Sequence, residues 1–366
     1  MEQYSGTRPV GAHHAFDAGA LESYLAAHLP GFAGPIQVEQ FKGGQSNPTY
    51  RLTTPAGRYV MRAKPGPASK LLPSAHAIDR EFRVMRALHG TDVPVARMHL
   101  LCEDESVIGR AFYLMEHVDG RVLWDPALPG LSPSERGAIY DEMNRVIAAL
   151  HAVDPAAVRL ADFGKPGNYF ERQIGRWTKQ YQASATQPIE AMDRLIEWLP
   201  AHIPPAARDE TQVSIVHGDY RLDNLIFHPA EPRVLAVLDW ELSTLGHPMA
   251  DFSYHCMGWH IPPGFFRGIG GADLATLGIP DEATYLHRYL DRRRARARPG
   301  QTLPTPESLE RDWPFYLAYN LFRIAAIVQG IAKRALEGTA SSAAARETGA
   351  SARPLAELGW SFAQRA

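Results

Sequence analysis

The chain has 366 residues, enough for two structural units or one large two-lobed domain. Apolar residues make up 45% and charged residues 21%, ordinary globular usage that excludes disordered and collagen-like chains. Lysine and arginine number 38 against 40 acidic residues, a net charge of −2 that gives no reason to expect a nucleic acid or a membrane surface as partner. Two cysteines, Cys102 and Cys256, are too few for a disulfide framework or a four-cysteine zinc site, so a reducing cytoplasm is the expected compartment. Residues 1–20 are polar, without the layout of a secretory leader.

Apolar residues three and four apart predict a short helix over 16–28, capped by Asp17. Strand-like runs follow at 36–41, 50–53 and 58–62, the first two parted by the turn-rich GGQSNPT. A Pro/Gly-rich loop leads to a strongly periodic helix over 76–89, and two further strands fall near 98–102 and 111–117. From Gly120 onward helices dominate: 134–153 with Ser132 or Ser134 as cap, then 169–182 and 189–199. A β insert follows (VSIVHGDY, NLIFHP, VLAVLDW), and then helices over 281–296 and 307–335. The apolar stretch 315–332 is interrupted by Asn320, Arg323 and Gln329, which reads as a buried amphipathic helix and not a membrane span. Residues 338–354, rich in Ala, Ser and Gly, read as a loose loop or frayed helix. The fold class is therefore α+β and bilobal: a β-rich lobe over 1–115, a hinge at 116–120, and a helical lobe over 121–366.

The most informative stretch runs from His217 to Asp251. Asp219 sits in a polar turn after a β run, Asn224 comes five residues later, and Asp239 ends the apolar run VLAVL. A hairpin of this kind brings Asn224 and Asp239 together and keeps Asp219 near them. Phosphoryl transfer from ATP needs Mg2+ held by hard oxygen ligands, and a carboxylate that positions the attacking hydroxyl and accepts its proton. Asn224 and Asp239 are the candidate metal ligands, and Asp219 is the candidate catalytic base. A third carboxylate in place of Asn224 would repel both the base and the phosphates.

The string H-G-D-x-x-x-x-N followed by an apolar strand and L-D-W resembles the catalytic and metal-binding segments of the aminoglycoside/choline-kinase-like phosphotransferases, which share the protein-kinase-like fold. FKGGQSNPTY, LLPSAHAIDREFRVMRAL, HGDYRLDNLIF and LDWELSTLGHPMADFSY resemble more closely a subgroup found free-standing and fused to acyl-CoA dehydrogenases. The resemblance spans nearly the whole chain. It implies an ATP-dependent kinase that moves the γ-phosphoryl group to the hydroxyl of a small molecule. The implied cofactors are ATP and Mg2+, and the oligomeric state is left open. Gly218 stands where protein kinases carry arginine, and no A-P-E segment follows Asp239, so neither activation-loop control nor a protein acceptor is expected.

The resemblance further implies a nucleotide site in the N-terminal lobe. The loop Gly43, Gly44, Gln45, Ser46 and Asn47 would approach the phosphates through its backbone N–H groups. Arg62 best fits the phosphate-contacting strand position, with Lys64 as a second candidate and Glu81 as the anionic partner on the next helix. Backbone groups between Glu116 and Val118 would meet the adenine.

Plainer readings stand beside these. His217 braces its loop, and Asp251 is most simply a helix cap. Glu241 reaches the metal shell or is merely solvated. His255, Cys256 and His260 fit no usual zinc spacing and read as structural. Arg292 to Arg298 reads as a solvated helix end, with coenzyme A phosphates as the sharper alternative. Tyr169, Trp177 and Tyr181 read as core before acceptor wall, and Asn320 and Arg323 as cleft residues or, for the arginine, a snorkelling one. The sparse acidic residues of the later helices argue against a polycationic acceptor, and the dehydrogenase-fused kin point to a hydroxyacyl-CoA or hydroxy acid. A nucleotide-binding regulator without phosphotransfer is the alternative function.

Overall fold

A computed structural model describes residues 6–42, 47–65, 77–165, 167–338 and 345–366. Gly43, Gly44, Gln45 and Ser46, four of the five residues of the expected phosphate loop, lie outside them. The chain divides into two compact units, Met1–Trp124 with Asp223–Ser243 and Asp125–Leu222 with Thr244–Ala366.

The first unit begins with β1 (Thr7–Arg8) and α1 (Ala18–His28), whose N-terminus is capped by the Asp17 carboxylate accepting from the Gly19 and Ala20 amides. Then come β2 (Gln37–Phe41), β3 (Thr49–Thr54), β4 (Gly57–Ala63), α2 (Ile78–Leu88), β5 (Met98–Cys102), β6 (Phe112–Glu116) and β7 (Arg121–Val122). Six of these strands form an antiparallel sheet in the order β1-β2-β3-β4-β6-β5. Period-two alternation buries Tyr50, Leu52 and Thr54 on one face of β3. The first two join Met61, Phe112, Leu114 and the α1 residues Leu21 and Leu25 in the core. The β1 strand was not foreseen, because two residues carry no readable period. On α2 the buried face holds Ile78, Phe82, Met85 and Leu88, and it includes Glu81.

The second unit opens with α3 (Pro133–Ala152), started by a capping box between Ser132 and Glu135. It continues through α4 (Tyr169–Ser184), α5 (Glu190–Ala201) and β8 (Ser214–Val216). The chain then returns to the first unit for β9 (Leu225–Phe227) and β10 (Val234–Val237), which with β7 form a sheet ordered β10-β9-β7. Close approach fixes this joint: a Cβ at Gly120 would lie 2.4 Å from both Ile226 Cγ2 and the Phe227 carbonyl oxygen. The Val237 amide also donates to the Pro94 carbonyl at 2.9 Å. The division of the chain thus differs from the hinge expected at 116–120. Pairing of β7 with β9 draws residues as far as Trp124, and the whole 223–243 segment, into the first unit.

Back in the second unit, β11 (Thr244–Gly246) pairs with β8, so the β insert expected as one piece is split between two sheets. Next are α6 (Pro248–Cys256), α7 (Leu274–Leu277), α8 (Glu282–Arg294), α9 (Pro306–Leu336), α10 (Ala345–Ala350) and α11 (Ala352–Ala363). The 31-residue α9 is long and apolar enough to cross a membrane, and it is buried among α4, α5, α6, α10 and α11. Its interrupting polar residues bond internally. The Asn320 amide donates to Ser253 Oγ at 2.7 Å, and that of Gln329 donates to the Ser184 carbonyl at 2.9 Å. Of the loose loop or frayed helix expected over 338–354, the structure shows helix in the part it describes. Residues 345–350 and 352–363 are helical, and the small side chains permit close packing: a Cβ at Gly349 would stand 2.6 Å from Ala332 Cβ.

Candidate active site

In the first unit the β9–β10 hairpin sets Asn224 and Asp239 at its open end. Val237 pairs with Leu225, and the Leu238 amide donates to the Asn224 carbonyl at 2.8 Å. Asp239 takes a left-handed backbone (φ 63°, ψ 60°), sparsely populated for a residue with a side chain and often retained at functional sites. The following turn is pinned by the buried Trp240, whose indole donates to the Val237 carbonyl at 2.9 Å.

Arg62, on β4, reaches this hairpin end. Its Nη2 donates to Asp239 Oδ1 at 3.0 Å and to Glu241 Oε2 at 3.4 Å, while its Nε stands 3.1 Å from Glu81 Oε2. Glu81 is 1% exposed and further held by Asn47 Nδ2 and the Tyr113 hydroxyl, each donating at 3.0 Å. Tyr113 is the cross-strand neighbour of Arg62 on β6, so both side chains reach the same carboxylate. Burial pushes the Glu81 carboxyl upward, and the Arg62 charge opposes that rise. Burial likewise disfavours charge on Arg62, but Glu81, Tyr113, Asp239 and Glu241 outweigh it and hold the guanidinium above its ordinary range. Asn47 is fully buried against Glu81. Lys64 lies just past the end of β4, and its side chain makes no ion pair among the described residues. Glu116 is exposed at the end of β6, its carboxylate accepting from the Arg97 amide at 3.3 Å, and Val118 is half-buried.

In the second unit the turn after β8 is gripped from α6. Asp251 accepts from the His217 amide at 2.7 Å and the Gly218 amide at 2.8 Å, and His151 Nε2 lies 3.1 Å from the same carboxylate. Asp251 is therefore not the expected helix cap. It lies within the first turn of α6 (His247 is the cap) and braces the Asp219 turn from a distance in sequence that no local pattern signals. His217 is fully buried, and its Nδ1 accepts from the Asp219 amide at 3.2 Å. Gly218 has φ +84°, a backbone that arginine would adopt only under strain. Its carbonyl accepts from Arg323 Nη2 at 2.6 Å. The Asp219 carboxylate accepts from the Tyr254 hydroxyl and lies 3.4 Å from Arg221 Nη2.

Burial works against the Asp251 charge, but His151 and the His217 amide outweigh it and lower its carboxyl below the ordinary range. Burial holds His151 below its usual value, and pushes His247 and His255 down to about 4. Groups depressed in the folded state stabilise it fully above their unfolded pKa, and that stability is lost as pH falls through the folded one. Stability read from urea unfolding is therefore expected to drop steadily between pH 6.5 and pH 4, by roughly 1–2 kcal/mol at pH 5 for each of His247 and His255. A midpoint flat across that range would contradict neutral burial of these rings.

The other candidates resolve as structure. His255 Nε2 lies 2.8 Å from the Tyr285 hydroxyl, His260 Nε2 lies 2.8 Å from Glu282, and Cys256 is free and buried. Among the described residues no three His, Cys, Asp or Glu side chains gather as a metal site. The arginine run is a solvated helix end only in part: Arg294 and Arg296 are exposed, and three other arginines are held by the protein. Arg292 donates to Asp141 and Asn144 at 2.8 Å, Arg293 is 2% exposed, and Arg298 donates to the Val213 carbonyl at 2.8 Å. Trp177 and Tyr181 are buried and Tyr169 is half-buried. Asn320 is buried in its own hydrogen bonds, and Arg323 does not snorkel. Sequence reasoning missed Tyr113, His151 and Tyr254. Only Tyr254 had an available signal, three residues beyond Asp251 on one helix.

The phosphotransferase enzyme family matches residues 37–299. Acyl-CoA dehydrogenase family member 10 of Mus musculus is 48% identical over 98% of this chain, and family member 11 of the same species is 42% identical over 99%. The chain spans only 32% and 45% of those two proteins. A crystal structure of a candidate aminoglycoside phosphotransferase from Ralstonia eutropha is 63% identical, with a TM-score of 0.86 over 96% of this chain and 99% of that one. Choline kinase from Cryptosporidium parvum is 12% identical, with a TM-score of 0.61 over 95% of each chain. An aminoglycoside phosphotransferase solved with AMP-PNP and hygromycin B is 14% identical, with a TM-score of 0.60 over 94% of this chain and 99% of that one. The β-rich N-terminal region and mostly helical remainder are thus those of the kinase-like α+β fold, and the chain belongs to the phosphotransferase enzyme family.

Proposed function

We propose that the chain transfers the γ-phosphoryl group of ATP to the hydroxyl of a small molecule, with Asp219 as base and Asn224 and Asp239 as metal ligands. The observation that carries this reading is the hairpin end in the first unit, where Asn224 and Asp239 stand side by side with Arg62 on the Asp239 carboxylate. An amide oxygen and a carboxylate form the hard, sparse donor set that Mg2+ takes when phosphates complete its shell. The Asp239 side chain is 35% exposed, so it is open to such an ion. Bound magnesium would supply charge neutralisation on the phosphates.

The rest falls to the chain's own groups. Arg62, held charged by Glu81, presents a planar fork to phosphate oxygens. Asp219 orients the acceptor hydroxyl and takes its proton. The dehydrogenase-family relatives support a hydroxyacyl-CoA or hydroxy acid as acceptor. The arginine run adds little to that choice, since Arg292 and Arg298 bond inside the second unit and Arg293 is buried, which leaves Arg294 and Arg296 exposed.

Asp239→Ala is expected to weaken ATP binding in the presence of magnesium by tenfold or more, about 1.4 kcal/mol, and to leave metal-free ATP binding nearly unchanged. Calorimetry with and without magnesium reads both. Purified protein with Mg·ATP, screened for ADP release against hydroxyacyl-CoAs, hydroxy acids, amino alcohols, sugars and aminoglycosides, tests the function itself. Tight nucleotide binding with no turnover on any acceptor would turn the reading to a nucleotide-binding regulator.

A further inference from the structure

We infer that Tyr254 is the positioning residue for Asp219: its phenol O–H holds Oδ1 and so sets the plane of the carboxylate that meets the acceptor hydroxyl. The inference deepens the function proposed above and rests on Asp219 being the proton acceptor.

Asp251 and Tyr254 are three residues apart on α6 and so share one helix face. Asp251 takes the amides of His217 and Gly218, and Tyr254 takes the side chain of the next residue. One helix face therefore fixes both the backbone of the turn and the carboxylate it displays. A carboxylate needs this, because its terminal torsion is broad and the backbone alone does not choose its plane.

The lock is mutual. Tyr254 is 4% exposed, and its hydroxyl spends its proton on Asp219. Turning the carboxylate away would strand a buried donor. The ring is itself fixed. The Arg323 guanidinium lies 5.1 Å from the Tyr254 ring centroid and 5.7 Å from that of Trp177, while its Nη2 holds the Gly218 carbonyl at 2.6 Å. Gly218 is thus pinned at both its N–H and its C=O, and Tyr254 pins Oδ1 of the adjoining carboxylate. Oδ2 lies on the Arg221 side, 3.4 Å from Nη2.

Crystal structures of the native protein and of Y254F read the position directly. In Y254F the Asp219 carboxylate should rotate out of its native plane or split into two conformers, with both Asp251 bonds to the turn retained. A carboxylate unmoved in Y254F overturns the inference. Kinetics supply the second arm, with water as acceptor, so that Mg·ATP yields ADP and inorganic phosphate. Y254F should lower kcat about tenfold to a hundredfold at unchanged KM for Mg·ATP, the scale of a misplaced reacting group. The same change placed on D219N should cost nothing further, since the two act as one unit. Equal losses in both backgrounds would show that Tyr254 serves the fold at large, which also overturns the inference. D219N with native turnover strikes instead at Asp219 as base, and the crystal structures still decide whether Tyr254 positions it.

Discussion

Asp219→Asn is expected to lower turnover by about two to four powers of ten while Mg·ATP affinity stays as in the native protein. Asparagine keeps the shape of the side chain and an oxygen that can accept from Tyr254, so the turn held by Asp251 and Arg323 has no reason to move. It lacks the capacity to take a proton, and it removes the negative charge that orients the hydroxyl. Single-turnover measurement of ADP formation on an acceptor found by screening gives the chemical step, and calorimetry gives nucleotide affinity. Near-native turnover would remove Asp219 from the base role. A joint collapse of affinity and melting temperature would mean that the substitution had disturbed the turn.

Arg62→Met is expected to destabilise the protein by about 3–5 kcal/mol at neutral pH, the cost of leaving a buried charge without its partner. Arg62 is 11% exposed and serves Glu81, Asp239 and Glu241 together, and Glu81 at 1% exposure has no route to water. The loss should shrink in acid. Burial already raises the Glu81 carboxyl, and removing the arginine raises it further. A carboxyl raised in the folded state contributes stability that is fully present below its unfolded value of 4.5 and is lost as pH rises through the folded one. The difference in urea midpoint between native and variant should therefore be largest near pH 7.5 and narrow toward pH 5. Comparing the two proteins at each pH cancels the histidine contributions. A difference independent of pH would locate the effect in packing and not in the stranded carboxylate. Arg62→Lys should fall between, because one ammonium cannot span Glu81 and Asp239 as the guanidinium fork does.

Much of the local structure was legible in the residues. The Asp17 cap, the Ser132 capping box, the alternation of β3 and the period of α2 are encoded within a few residues of where they act, and each forms the element that its pattern implies. The H-G-D-x-x-x-x-N spacing and the L-D-W run likewise placed Asp219, Asn224 and Asp239 on turns at strand ends. Glu81 announced itself as a charged residue on an apolar helix face.

Tertiary structure alone decided which partners those elements take. Strand propensity does not say that β8 joins β11 while β9 joins β10 and β7, since several short apolar runs compete for the same edges. Asp251 read as a cap because a cap is the local use of aspartate. Its partners include His151, 100 residues earlier. Arg62 and Asp239 are 177 positions apart, and Arg292 and Arg298 looked solvated because their acceptors on Asp141, Asn144 and Val213 come from distant segments. Sequence by itself determined most of the helices and strands and the chemical groups available for phosphoryl transfer, because propensity and spacing act over one or two turns of chain. Which charge neutralises which, and which hydroxyl meets the Asp219 carboxylate, was settled by burial: a charge or donor removed from water must find a partner wherever the folded chain brings one.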